Sequence, residues 1–233
     1  YFADEIAPYS LGYWFCDMVN LEEVDCRLLD TSNVYYTGWM FANCKSLKDL
    51  DLSNFDTSKV IDMYCMFYNC STLEKLVLTG WNTSSVTNMG LTFAGLCSIE
   101  KLDLSSFDTS NVTDMYFMFS AHVKGNGKKN TALKTLDLSN FDTSNVTDMR
   151  AMFQRLEGLT YLNLSNFNTD KVTDMGYMFN GCSGLTSLDL ASFDTSQVTY
   201  MGGMFEGCSG LTSLDLGSFD TSQVTDMWSM FYG

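Results

Sequence analysis

A unit of 26 residues, repeated along nearly the whole chain, constrains the fold more than any other feature of this sequence. Leu-Asp-Leu or a near variant begins at Val24, Leu50, Leu76, Leu102, Leu136, Leu162, Leu188 and Leu214, so every step is 26 residues except one of 34. Written once, the unit reads L-D-L-S-x-F-D-T-S-x-V-T-D-M-x-x-M-F-x-x-C-x-x-L-x-x. Thr at unit position 8 (Thr31 through Thr221), Val at position 11 (Val34 through Val224) and Phe at position 18 (Phe41 through Phe231) do not vary. Met holds position 14 in every copy but Thr37 and position 17 in every copy but Thr92. Copies this alike cannot each build a different core. They must stack, each coil presenting one shape to both neighbours, which predicts a solenoid.

The copy Leu185–Phe193 reads L-T-S-L-D-L-A-S-F, the L-x-x-L-x-L spacing of a leucine-rich-repeat strand. Alternation turns Leu188 and Leu190 inward and Asp189 outward, in a short strand that pairs in parallel with its neighbours. Asp194, Thr195 and Ser196 then favour a turn. Val198, Met201, Met204, Phe205 and Cys208 follow at spacings of three, three, one and three, which predicts one face of a short helix. The expected fold is therefore α/β: a leucine-rich-repeat solenoid of about eight coils, parallel strands concave and short helices convex. The Phe, Met and Leu columns would form one core, with methionine filling gaps. The Thr column would either ladder to the next coil's backbone or cap the helix.

Read as Leu136–Phe153, the unit L-D-L-S-N-F-D-T-S-N-V-T-D-M-x-x-M-F resembles the BspA-like leucine-rich repeats, in particular the 26-residue type abundant in mycoplasma lipoproteins and other bacterial surface proteins. The resemblance covers residues 24–233, with a partial copy back to about Gly12. It implies a secreted or surface-anchored protein of the kind associated with adhesion. Residues 1–23 are expected to form a cap and partial repeat, with Trp14, Phe15, Met18 and Leu21 on core positions. Residues 24–233 form the array, with an insertion within 121–131.

Twenty-eight acids against 13 bases give a net charge of −15, which argues against binding nucleic acid. No apolar run is long enough to span a membrane. A single histidine, His122, leaves little for His-based catalysis or metal ligation, so no enzyme activity, catalytic residue or cofactor is expected. The eight cysteines are expected as free thiols, four of them (Cys44, Cys70, Cys182, Cys208) in a slot that other copies fill with Leu96 and Leu156. Bridges between adjacent coils remain an alternative.

Two faces are candidates for binding. On the strand face Asp25, Asp51, Asp103, Asp137, Asp189 and Asp215 form a column, interrupted by Val77 and Asn163. It reads as a solvated acidic surface, or as a strip for a basic partner, and offers weak Ca²⁺ ligands. The insertion carries His122, Lys124, Lys128 and Lys129, basic residues in an acidic protein, and is expected to project as a loop, either a tolerated surface insertion or a contact loop for an acidic partner or a neighbouring subunit. The functional expectation is a cell-surface protein-interaction or adhesion module. The alternative is a structural subunit that self-associates through its solenoid ends into a filament or sheath.

Overall fold

The structure is a computed structural model and describes residues 7–123 and 127–233. Its coils stack in sequence order. Four short strands, β1 (Asp49–Asp51), β2 (Lys75–Val77), β3 (Thr135–Asp137) and β4 (Tyr161–Asn163), form two parallel pairs with Leu50 opposite Leu76 and Leu136 opposite Leu162. The inward–outward alternation is as expected: Leu50 and Leu52 are buried while Asp51 faces out. A second parallel ladder runs through unit position 13, linking Ser10, Tyr36, Asp62, Asn88, Asp114, Asp148, Asp174, Tyr200 and Asp226. The Asp114–Asp148 bridge crosses the 34-residue step without a break, so the insertion leaves the register intact.

Both halves of the expected fold are corrected: the continuous eight-coil sheet is reduced to two separate strand pairs, with no strand at residues 24–26, 102–104, 188–190 or 214–216, and the helices do not form. There is no helix among the described residues, and the fold is not an α/β leucine-rich-repeat solenoid. Where helices were expected, the backbone runs in consecutive tight turns. In one coil the N–H groups of Met66, Tyr68 and Cys70 donate to the carbonyls of Met63, Cys65 and Phe67, three residues back. The alternate N–H groups, on Met63, Cys65, Phe67 and Asn69, donate instead to carbonyls of Asn88, Gly90, Thr92 and Ala94 in the next coil. An α-helix would need those donors internally, each bonding four residues back. Here every second donor holds two coils together.

The turns also require left-handed backbone that a helix forbids. Unit position 16 has positive φ in every coil, including Trp39 (61°), Cys65 (57°), Leu91 (57°), Phe117 (54°) and Ala151 (53°). A left-handed third residue in a four-residue turn closed by an N–H bonding the carbonyl three residues back matches the type II pattern.

The remaining corners explain the aspartates. Asp51 accepts from the Ser53 N–H at 2.9 Å, Asp56 from Ser58 at 2.9 Å and Asp62 from Tyr64 at 2.7 Å. A carboxylate bonded to the backbone two residues on closes an Asx turn. Asp or Asn at unit positions 2, 7 and 13 thus closes up to three corners of a coil, with Val77, Tyr36 and Tyr200 as exceptions.

Inside, identical side chains stack on one another. The position-18 rings from Phe15 through Phe231 lie 5.2–6.0 Å apart at centroids and within 10° of parallel. That is the offset stacking aromatic rings favour. The threonine column is the ladder of the two readings. Thr143 Oγ1 donates to the Asn168 carbonyl at 2.7 Å and accepts from the Asn168 N–H at 2.8 Å, and Thr57, Thr83 and Thr169 repeat both bonds. The cysteines are free thiols. Those of Cys44, Cys70, Cys182 and Cys208 donate at 3.0–3.1 Å to the position-18 carbonyl of the preceding coil.

The N-terminal partial copy reaches further back than expected. Leu11 is fully buried, Ser10 bridges Tyr36, and Tyr35 N–H bonds the Tyr9 carbonyl, so Tyr9–Leu11 occupy unit positions 12–14. Trp14 and Met18, assigned to the core, are instead 37% and 48% exposed on the first coil.

Candidate interaction faces

The strand face carries the aspartate column where expected, but the carboxylates do not converge. Each accepts its own turn N–H: Asp25 from Arg27, Asp51 from Ser53, Asp103 from Ser105, Asp137 from Ser139, Asp189 from Ala191 and Asp215 from Gly217. The Arg27 guanidinium clamps Asp25, at 2.6 Å, and holds its carboxyl down at about 2. The turn hydrogen bonds hold Asp51, Asp103 and Asp137 below the usual carboxylate range. Asn163 donates to Asp137 at 3.1 Å and separates like charges in the column. Among the described residues no group of three or more His, Cys, Asp or Glu side chains could hold a metal ion. A shallow depression of about 690 Å³ at the N-terminal end of this face is lined by Glu22, Glu23 and Asp49 but also by Lys45, Lys48 and Lys75. Its charge is mixed.

The insertion is anchored at both ends and exposed at residues 127–129; residues 124–126 lie outside the described residues. Ala121 and Val123 are buried at its start, and Asn130 is buried at its end. Asn130 lies three residues before Leu133, as the slot cysteines Cys44 and Cys70 lie before Leu47 and Leu73. It donates to the Leu96 and Ile99 carbonyls and accepts from the Ala132 and Leu133 N–H groups. Lys128 donates to Ser71 at 2.8 Å, and Lys129 pairs with Glu157 at 2.7 Å. His122 is half-buried; burial and the nearby Arg155 charge push its pKa down. Lys124 lies outside the described residues.

A third face, on the turns, was missed by the sequence reading. Its rings come from positions 15, 16 and 19, which vary between copies and carry no fixed residue in the repeat unit, and its acids from position 13. Tyr13 stacks on Trp39 at 5.9 Å, Trp39 meets Tyr64 at 5.9 Å and Tyr68 at 5.7 Å, and Tyr64 stacks on Tyr116 at 6.3 Å. The Tyr64 and Tyr116 hydroxyls share a hydrogen bond of 2.9 Å across the intervening Gly90. These rings are half-buried, with Tyr13 and Tyr36 more exposed. Beside them run the position-13 acids Asp62, Asp114, Asp148 and Asp174, and burial lifts Asp114 and Asp174 above the usual carboxylate range. Arg150 lies among them, 5.3 Å from the Tyr116 ring centre and 6.0 Å from that of Phe117, with its guanidinium 3.6 Å from Asp148 and 3.9 Å from Asp174. The legible signal was Gly and aromatic residues trading places at position 15 (Gly38, Tyr64, Gly90, Tyr116).

These features define a tandem-repeat protein: a helix-free column of stacked coils, internally laddered, that displays long, regular side-chain rows. The chain belongs to the family described as Mycoplasma protein of unknown function, DUF285, which matches it over residues 11–78, 36–131 and 123–233. No curated protein matches the sequence.

Proposed function

We propose that this chain is a non-enzymatic, surface-exposed protein-interaction module. The observation that carries the reading is the aromatic row on the turn face, where Tyr13, Trp39, Tyr64, Tyr68 and Tyr116 are partly exposed on backbone locked by inter-coil hydrogen bonds. Large amphipathic rings on a rigid support are the residues that dominate protein interfaces, because they bury much area and lose little entropy. The surface setting rests on the likeness of the unit to BspA-like repeats of bacterial surface proteins. Adhesion is the interaction role that likeness suggests.

The test has two arms. An antibody against the chain should stain intact source cells, and external protease should remove the epitope. The purified chain coupled to beads should adhere to protein-coated or cell surfaces, and should do so less when its turn-face rings are replaced. Absence of surface staining removes the localisation. Beads that adhere no better than blocked controls remove the interaction role.

A further inference from the structure

We propose that the turn face binds arginine-bearing, positively charged segments of a partner protein, taking each guanidinium between an aromatic ring and a position-13 aspartate. This deepens the interaction role and rests on it. The chain itself supplies the pattern. Arg150 is held by both elements at once, its guanidinium over the Tyr116 and Phe117 rings and beside Asp148 and Asp174. A planar cation suits such a place, since one face stacks on the ring while its edge meets a carboxylate.

The same two elements recur toward the N-terminal end. Trp39, Tyr64 and Tyr68 form the ring cluster there, and Asp62 adjoins Tyr64. Asp62 uses one oxygen, Oδ1, to close its turn with the Tyr64 N–H, as Asp148 does with Arg150, while Asp148 pairs with the guanidinium through Oδ2. Across all copies, Arg150 is the one Lys or Arg at positions 13, 15, 16 and 19. The N-terminal cluster therefore has acids and rings but no basic side chain of its own from these columns. The chain's net charge of −15 adds long-range attraction for a cationic partner. The strand face does not compete on these terms, because lysines are interleaved with its acids and it lacks such a ring row.

The probe is a fluorescein-labelled nine-residue oligoarginine peptide, with its citrulline counterpart as the uncharged control, read by fluorescence anisotropy at near-physiological salt. The full chain is expected to bind oligoarginine at least tenfold more tightly than oligocitrulline. Asp62→Asn with Asp114→Asn keeps the turn bonds, as Asn88 does at the same position, and should weaken binding at least tenfold. Trp39→Leu keeps a side chain that the left-handed backbone already accepts at Leu91, and should weaken binding at least fivefold. Asp51→Asn with Asp137→Asn on the strand face should leave affinity within twofold. Equal binding of the two peptides, or equal losses from the two aspartate pairs, overturns the proposal. A chain that ignores oligoarginine yet still adheres through its turn-face rings would remove this inference and leave the interaction role standing.

Discussion

Thr143 shows how much one invariant side chain does. Its buried hydroxyl both donates to and accepts from the half-buried backbone of Asn168 in the next coil, so removing it takes a partner from one C=O and one N–H at once. Thr143→Val keeps the shape and deletes both bonds. It should lower stability by about 2–3 kcal/mol, read from the urea midpoint, with Thr143→Ser recovering most of the loss. The corner aspartates set the acid limit. Asp30, Asp56, Asp108, Asp194 and Asp220 have pKa values lowered by hydrogen bonds from the Ser two residues on. A lowered folded-state pKa contributes stability that is present above the unfolded value, near 4, and is lost as pH falls through the folded value. Asp114 and Asp174 oppose this: their raised values favour the fold at low pH, a contribution lost as pH rises through them. The first group is more numerous, so melting temperature should fall steeply from pH 4 to 2. Replacing Asp56, Asp108 and Asp194 by Asn, the residue already at Asn82 and Asn168, should flatten that slope; an unchanged slope would show that these corners do not govern it.

The elements differ in how readily they could be read. Four of the eight expected strands were legible, because leucines at alternate positions copied at a fixed period favour parallel, in-register pairing; residues 102–104 and 188–190 carry the same pattern and form no strand. The position-18 ring stack was legible for the same reason. The turns were not, because inward residues at both ends of a four-residue turn, as with Met201 and Met204, fall three apart, a spacing that a short helix face shares. The usual turn markers were also hidden. Position 20 does show them, as Asn43, Asn69, Gly95 and Gly181, but position 16 holds Trp, Cys, Leu, Phe and Ala on left-handed backbone. Such residues there cost about 1–2 kcal/mol each, so nothing in their identity announces the turn. The corner before each strand is another concealed device. Ser46, Thr72 and Ser98 use their hydroxyls to bond a carbonyl of the preceding coil, whereas later coils place Gly158, Gly184 and Gly210 at the same step. A Cβ at Gly184 would lie 2.6 Å from the Glu157 and Leu159 carbonyl oxygens. Gly184→Ala must push two coils apart and should cost at least about 2 kcal/mol in a urea melt, far more than a surface Gly→Ala change.

Across the whole molecule, stability accumulates coil by coil. Phe205 is 3% exposed beneath Phe231, but Phe231 itself is 60% exposed and Trp228 65%. Adding one further in-register 26-residue copy after Gly233 should bury Phe231, cover part of Trp228, raise the urea midpoint and shift Trp228 emission to the blue. No shift would mean that coils do not stabilise one another through this interface.

The alternate N–H groups of the turn segment carry a last consequence. From Thr37 to Gly207 they all point toward the following coil, and the carbonyls that receive them all point back. Peptide dipoles aligned this way add, leaving one end of the column partly positive and the other partly negative, as in a helix. The molecule is thus a polar rod. A further coil stacked in the same direction meets these donors with its position-13 to position-19 carbonyls, while the position-12 N–H groups, such as Thr87 on Ile61, bond the opposite way.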